Sequence, residues 1–145
     1  MRINVGLKFE KKGNLKLEKK EIENMMYLAG LIAEGRIKEL CTVDLGFLRA
    51  SVYTEMKKYN TVVIGSDLIY ALPIEYGTKP HFVSPEYLKG WAGRVLGDEN
   101  AAYAVAKKIE RKGTRAHPFM RPGLFQSKSK IQAFIKSEIM KKMIK

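Results

Sequence analysis

The chain has 145 residues, of which 46% are apolar and 10% aromatic, so it has the size of one domain with a real core and is not wholesale disordered. Lys and Arg number 27 against 15 Asp and Glu, a formal net charge of +12 that favours a polyanionic neighbour (DNA, RNA, an acidic protein or an anionic membrane). The plainer alternative is a solvated, lysine-rich surface. The single cysteine, Cys41, excludes an intramolecular disulfide and a cysteine-based zinc site, and reads as a buried structural thiol in a reducing compartment. No apolar run approaches the roughly 20 residues that span a bilayer. The opening MRINVGLKF also lacks the continuous apolar core of a signal peptide, so a soluble protein is expected.

Ile3, Val5, Leu7 and Phe9 alternate with Arg2, Asn4, Gly6 and Lys8, the period of a half-buried strand. EKKGN, residues 10–14, breaks it with a turn. From Leu15 to about Leu40 the apolar residues Ile22, Met25, Met26, Ala29, Ile32, Ala33, Ile37 and Leu40 fall at helical spacing. Gly30 and Gly35 weaken that helix by about 1 kcal/mol each relative to alanine and allow close packing or a bend. Asp44 to Gly46 reads as a turn. Leu48–Met56 and Thr61–Gly65 read as strands joined through KKYN, Lys57 to Asn60. After a turn at Gly65–Asp67, LIYALPIEYG (Leu68–Gly77) reads as a third extended segment, with Pro73 marking a sheet edge.

The texture changes after Pro80. Ser84-Pro85-Glu86 is a helix start, with a capping hydroxyl, a first-turn proline and an acid at the positive end. That helix runs to about Leu96 and carries Trp91. Asp98 is placed to cap a second helix that ends at Gly113. Pro122 opens a last, lysine-rich helix with Leu124, Phe125, Ile131, Phe134, Ile135, Ile139 and Met143 on its apolar side. The organisation is α+β in a single domain, 1–145. A small antiparallel β-sheet is packed by a long N-terminal helix and a C-terminal helix. Residues 79–113 form a helical insertion, read as a partner-contacting arm that orders on assembly.

Candidate chemistry is sparse. His81 and His117 each adjoin a proline-containing turn, but no further ligands stand at metal-binding spacing. Asp44, Glu55, Asp67 and Glu75 lie near strand ends without a spacing that selects an acid–base pair. Ser51 and Ser66 lack a nucleophile motif, and no glycine-rich loop cradles phosphate. An enzyme is not expected, and no cofactor or metal is assigned. Glu75, in an apolar strand, is either an exposed alternate position or an interface acid for an arginine on a neighbour, with Arg49, Arg115 and Arg121 as candidates. Lys128, Lys130, Lys136, Lys141, Lys142 and Lys145 make the tail basic. Phe125 and Phe134 fall on its apolar stripe and are assigned to the core rather than to base stacking.

Three stretches, taken in order, resemble a known family. VDLGFLRASV (Val43–Val52) resembles an Asp-Thr-Gly-x-Leu-Arg-x-Ser element. VVIGSDLIYALPIEYGT (Val62–Thr78) resembles a Val-Gly-…-Tyr-Ala-…-Glu-Phe-Gly-Thr element. Leu88–Leu124 resembles a Trp-containing insertion followed by Gly-Thr-x-x-x-Pro-Phe-Leu-x-Pro-Ala. The family is that of the head–tail joining and tail-completion proteins (phage neck proteins, minor tail components) of long-tailed bacteriophages and related proviruses. No one motif is specific; the ordered set covers Val43 to Phe125, and the first 40 residues match only in type. Leu45 departs from the family's threonine, Tyr76 from its phenylalanine and Gly123 from its alanine. The resemblance implies a structural virion protein without catalysis, assembled in the host cytoplasm. Its copies would form a ring at the head–tail junction or the top of the tail tube, beside tail-tube, connector or portal-side proteins and near DNA, with no membrane partner. It also implies that Pro118 and Pro122 stiffen a clasp, with Phe119 and Met120 anchored to the sheet and Tyr70–Thr78 as the facing strand. The expected subunit or partner interface is Arg49, Glu75, Tyr76, Trp91, Arg94, Arg115, Phe119 and Arg121. A basic nucleic-acid-binding module is the rival expectation.

Overall fold

The computed structural model describes residues 3–8 and 17–143. Phe9, the turn at 10–14, Leu15 and Lys145 lie outside them. In chain order the elements are β1 (Ile3–Lys8), α1 (Lys19–Leu40), α2 (Phe47–Ala50), β2 (Val52–Lys58), β3 (Thr61–Ser66), α3 (Ala71–Tyr76), α4 (Pro85–Leu96), α5 (Ala101–Lys112) and α6 (Met120–Met143). The fold is α+β. Its sheet is antiparallel, in the order β1-β3-β2, with Leu7 opposite Val62 on one side and Thr54 opposite Ile64 on the other.

The helical spacing of the N-terminal apolar residues becomes one buried stripe. Ile22, Met25, Met26, Ala29, Ala33 and Ile37 are all buried on α1, and Gly30 lets the helix lie against Thr54 and Val62 of the sheet. The outer side is held by local ion pairs, Lys38–Glu34 and Arg36–Glu39, both at 2.6 Å. Helix α6 runs antiparallel along α1. Gly123 abuts the backbone of Ile37 near the end of α1, and Lys142 pairs with Glu21 near its start. Val52 and Ile64 from the sheet, Ile37 from α1, and Phe119 and Met120 meet in one core. Each large apolar side chain buried there contributes about 1.5–3 kcal/mol.

Three sequence expectations need correction. Leu48–Met56 is not one strand, because Phe47–Ala50 forms a helical turn and the strand starts at Val52. Gly46, at φ 81°, sets up that turn, and the Ser51 hydroxyl closes it by donating to the Leu48 carbonyl at 2.8 Å. The pattern Leu48-x-Ala50-x-Val52 imitates strand alternation, but a local side-chain to backbone bond wins. Strand β2 then continues to Lys58 with a bulge between Met56 and Lys58, so the hairpin loop is only Tyr59–Asn60. Leu68–Gly77 is not extended either: Ala71–Tyr76 is helix α3. Pro73 sits in its first turn, where the missing N–H has no intrahelical partner to lose. A proline that argued for a sheet edge is thus equally at home at a helix start.

The insertion folds as two helices that pack chiefly on each other, through buried Ala92, Ala102 and Ala106. Ser84 is the N-cap position of α4, without a side-chain capping bond. Asn100, not Asp98, is the N-cap of α5, while Asp98 shapes the preceding turn by accepting from the Asn100 N–H at 2.9 Å. Helix α6 starts at Met120, two residues before Pro122.

Candidate functional site

The helical insertion leaves the body at Gly77 and returns at Gly113. Both glycines have positive φ, 73° and 72°. The two segments of this neck lie so close that a Cβ at Gly113 would stand 1.9 Å from the Thr78 carbonyl oxygen, and one at Gly77 2.6 Å from that of Thr114. Backbone and side-chain bonds stitch the same spot. The Thr78 N–H donates to the Thr114 carbonyl at 3.1 Å, and the Thr114 N–H donates to the Thr78 hydroxyl at 3.0 Å. Higher up, the His81 N–H reaches the Ile109 carbonyl at 3.4 Å.

Immediately below the neck lies a clasp. Glu75 is 1% exposed. One carboxyl oxygen accepts from the Phe119 and Met120 N–H groups at 2.6 and 2.9 Å, and the other accepts from the Arg121 N–H at 3.2 Å. The carboxyl group therefore caps the start of α6, where unpaired backbone donors and the helix dipole both favour an acid. The His117 N–H, donating to the Ile74 carbonyl at 2.7 Å, fixes the approach. Arg121 lies with its Nε 3.5 Å from Glu75 and its guanidinium 4.6 Å from the centre of the Tyr76 ring. That distance suits a cation–π contact.

A second tie joins the arm to the body. Arg94 of α4 grips Asp44 with two bonds of 2.8 Å, from Nε and from the second guanidinium nitrogen. The Arg94 bond holds the Asp44 carboxyl below its usual range. Burial, then the charge of Asp44, raises the phenol of Tyr70. Exposed apolar side chains surround this tie in sequence: Val43, Leu45 and Phe47 beside Asp44, and Ile69 beside Tyr70.

The structure places the eight expected interface residues in different settings. Glu75 and Phe119 are buried within the chain, so neither presents a face to a neighbour. The expectation that Glu75 is an exposed strand position or an intersubunit acid is corrected. Of its three candidate arginines only Arg121 reaches it, and does so within the same chain. Tyr76 and Arg121 flank the clasp at the surface, and Arg115 is exposed on the neck. Arg94 is tied to Asp44, Trp91 is half-buried on α4, and Arg49 is exposed on α2. Sequence reasoning placed Phe125 in the core, but it is 77% exposed, whereas Phe134 packs inward.

The candidate chemical groups are engaged structurally. Asp44 pairs with Arg94, Glu55 with Lys57, and Asp67 accepts from the Tyr53 hydroxyl. The hydroxyl oxygens of Ser51 and Ser66 stand 2.7 Å apart, joining α2 to the end of β3. The His81 ring contacts the carbonyl of Lys79 at 2.9 Å. Among the described residues no group of three or more His, Cys, Asp or Glu is arranged to hold a metal, and no helix is long and apolar enough to cross a membrane. No family model, no curated protein and no solved structure matches this chain.

Proposed function

We propose that this chain is a structural virion protein at the head–tail interface of a long-tailed phage or provirus, a ring subunit that completes the tail or joins it to the head. The observation that carries the proposal is the meeting of two distant stretches that the resemblance rests on. Glu75-Tyr76-Gly77-Thr78 and the segment Gly113–Arg121 are joined by the carboxyl cap, the threonine stitch and the paired glycines. A motif set whose members lock one another in place has a reason to occur together and in order. Its role is then architectural: it ties a two-helix arm to the body.

Exposed apolar residues support a role in contact with partners. Phe82, Tyr87 and Tyr103 on the arm are 75%, 86% and 57% exposed, and Phe125 on α6 is similarly bare. Apolar side chains scattered singly over a surface need no explanation, but several large ones on a projecting arm mark an interaction surface. On this reading the protein acts by binding, without catalysis or cofactor. The test is electron microscopy of lysates from a virus lacking the gene. Filled heads and unjoined tails are expected. Overlong tails would reassign the protein to terminating the tail, and normal joined particles would overturn the proposal.

A further inference from the structure

We infer that the outer face of α5 and the neck of the arm form a binding surface for the phosphate backbone of duplex DNA. The surface consists of Lys79, Lys107, Lys108, Arg111, Lys112 and Arg115. All six are exposed, and none forms an ion pair among the described residues.

Helix geometry aligns the four on α5. Lys107 and Arg111 are four residues apart, as are Lys108 and Lys112, so the pairs form adjacent rows on one side. The opposite side carries Ala102 and Ala106, buried against α4. Glu110, the one acid of α5, stands three residues from Lys107 at the edge of this face and forms no ion pair among the described residues. The neck continues the strip, since Gly113 lies against Thr78 and Lys79, and Arg115 follows Thr114 in the same stitched pair of segments. From Lys107 to Lys112 the rows extend about 7.5 Å, a span of roughly two phosphates on one strand.

The choice of this face over the lysine-rich α6 rests on ion pairing. On α6, Lys141 is paired with Glu138 and Lys142 with Glu21, both acids of the same chain. The remaining Lys128, Lys130 and Lys136 lie on a longer helix that is packed along the body. The arm concentrates its unneutralised charge on a projecting edge, where a rigid polyanion can reach it without displacing an acid. The inference stands on this charge placement alone and does not need the chain to form a ring.

The experiment is fluorescence anisotropy with a short labelled DNA duplex across about 50–200 mM salt. It compares the full chain with K107Q/K108Q/R111Q/K112Q and with K128Q/K130Q/K136Q. Each phosphate contact adds about 0.9 to the slope of log affinity against log salt. The arm variant is expected to lose about 2 from that slope while keeping its circular dichroism, and the α6 variant less than about 1. Three results would overturn the inference. They are no salt-dependent binding by the unmodified chain, an equal or larger loss in the α6 variant, or tighter binding of polyglutamate than of duplex.

Discussion

The carboxyl group of Glu75 makes three hydrogen bonds to backbone donors that nothing else among the described residues satisfies. Buried donors left without acceptors cost about 1–3 kcal/mol each, partly relieved by water or relaxation. Glu75→Ala should therefore lower stability by about 2–4 kcal/mol in urea denaturation, and Glu75→Gln by less, because its amide oxygen still accepts. A loss below about 1 kcal/mol for the alanine variant would reject the capping role. Cys41 makes a second residue-level prediction. Its thiol is buried, donates to the Ile37 carbonyl at 3.4 Å, and is pushed up by burial from 9.0 to about 11. The folded chain thus binds this proton more tightly than the unfolded chain. The associated stability is complete below pH 9.0 and falls away as the pH rises towards about 11. Denaturation midpoints should drop over that window, and Cys41→Ala should remove this part of the drop. Sequence alone identified Glu75 as unusual but assigned it to the surface, because its three donors lie 44 to 46 residues away.

At the scale of elements, α1 was legible because its apolar residues fall at helical spacing, α6 because Pro122 marks a helix start, and α4 and α5 because proline and glycine mark their ends. Short elements were not. Helices α2 and α3 have four and six residues, too few to show a period, and each holds residues that also suit a strand. Phe125 shows the matching limit on a long helix. It adjoins Leu124 in sequence, yet Leu124 packs against the core while Phe125 is exposed. The neck between α3 and α6 makes the sharpest prediction. Gly113 has φ 72° and no room for a Cβ against Thr78. Gly113→Ala adds backbone strain to a clash with main chain, and should cost about 2–4 kcal/mol. Hydrogen exchange should show the loss first in α5 and at the start of α6, while Gly35→Ala on α1, with open space around it, should leave exchange unchanged or slower.

For the whole molecule, a net charge of +12 sets copies against one another. If the chain assembles through the exposed apolar residues of its arm, self-association should strengthen as salt rises from about 50 to 300 mM and screens that repulsion. Sedimentation velocity at fixed protein concentration measures this directly. Weaker association at high salt would mean that ion pairs, not apolar contacts, join the copies. The charge, the single thiol, the α+β class and the position of the inserted arm were all determined by sequence alone. They depend on composition, on period and on local punctuation by proline and glycine, which need no knowledge of the fold. Tertiary structure decided that Glu75 faces inward, that Arg94 ties the arm to Asp44, and that the cations of α5 form no ion pair among the described residues while two of those on α6 are paired. Each of these depends on which residues meet across a long stretch of chain. Burial and pairing are properties of those meetings, not of the residues that take part in them.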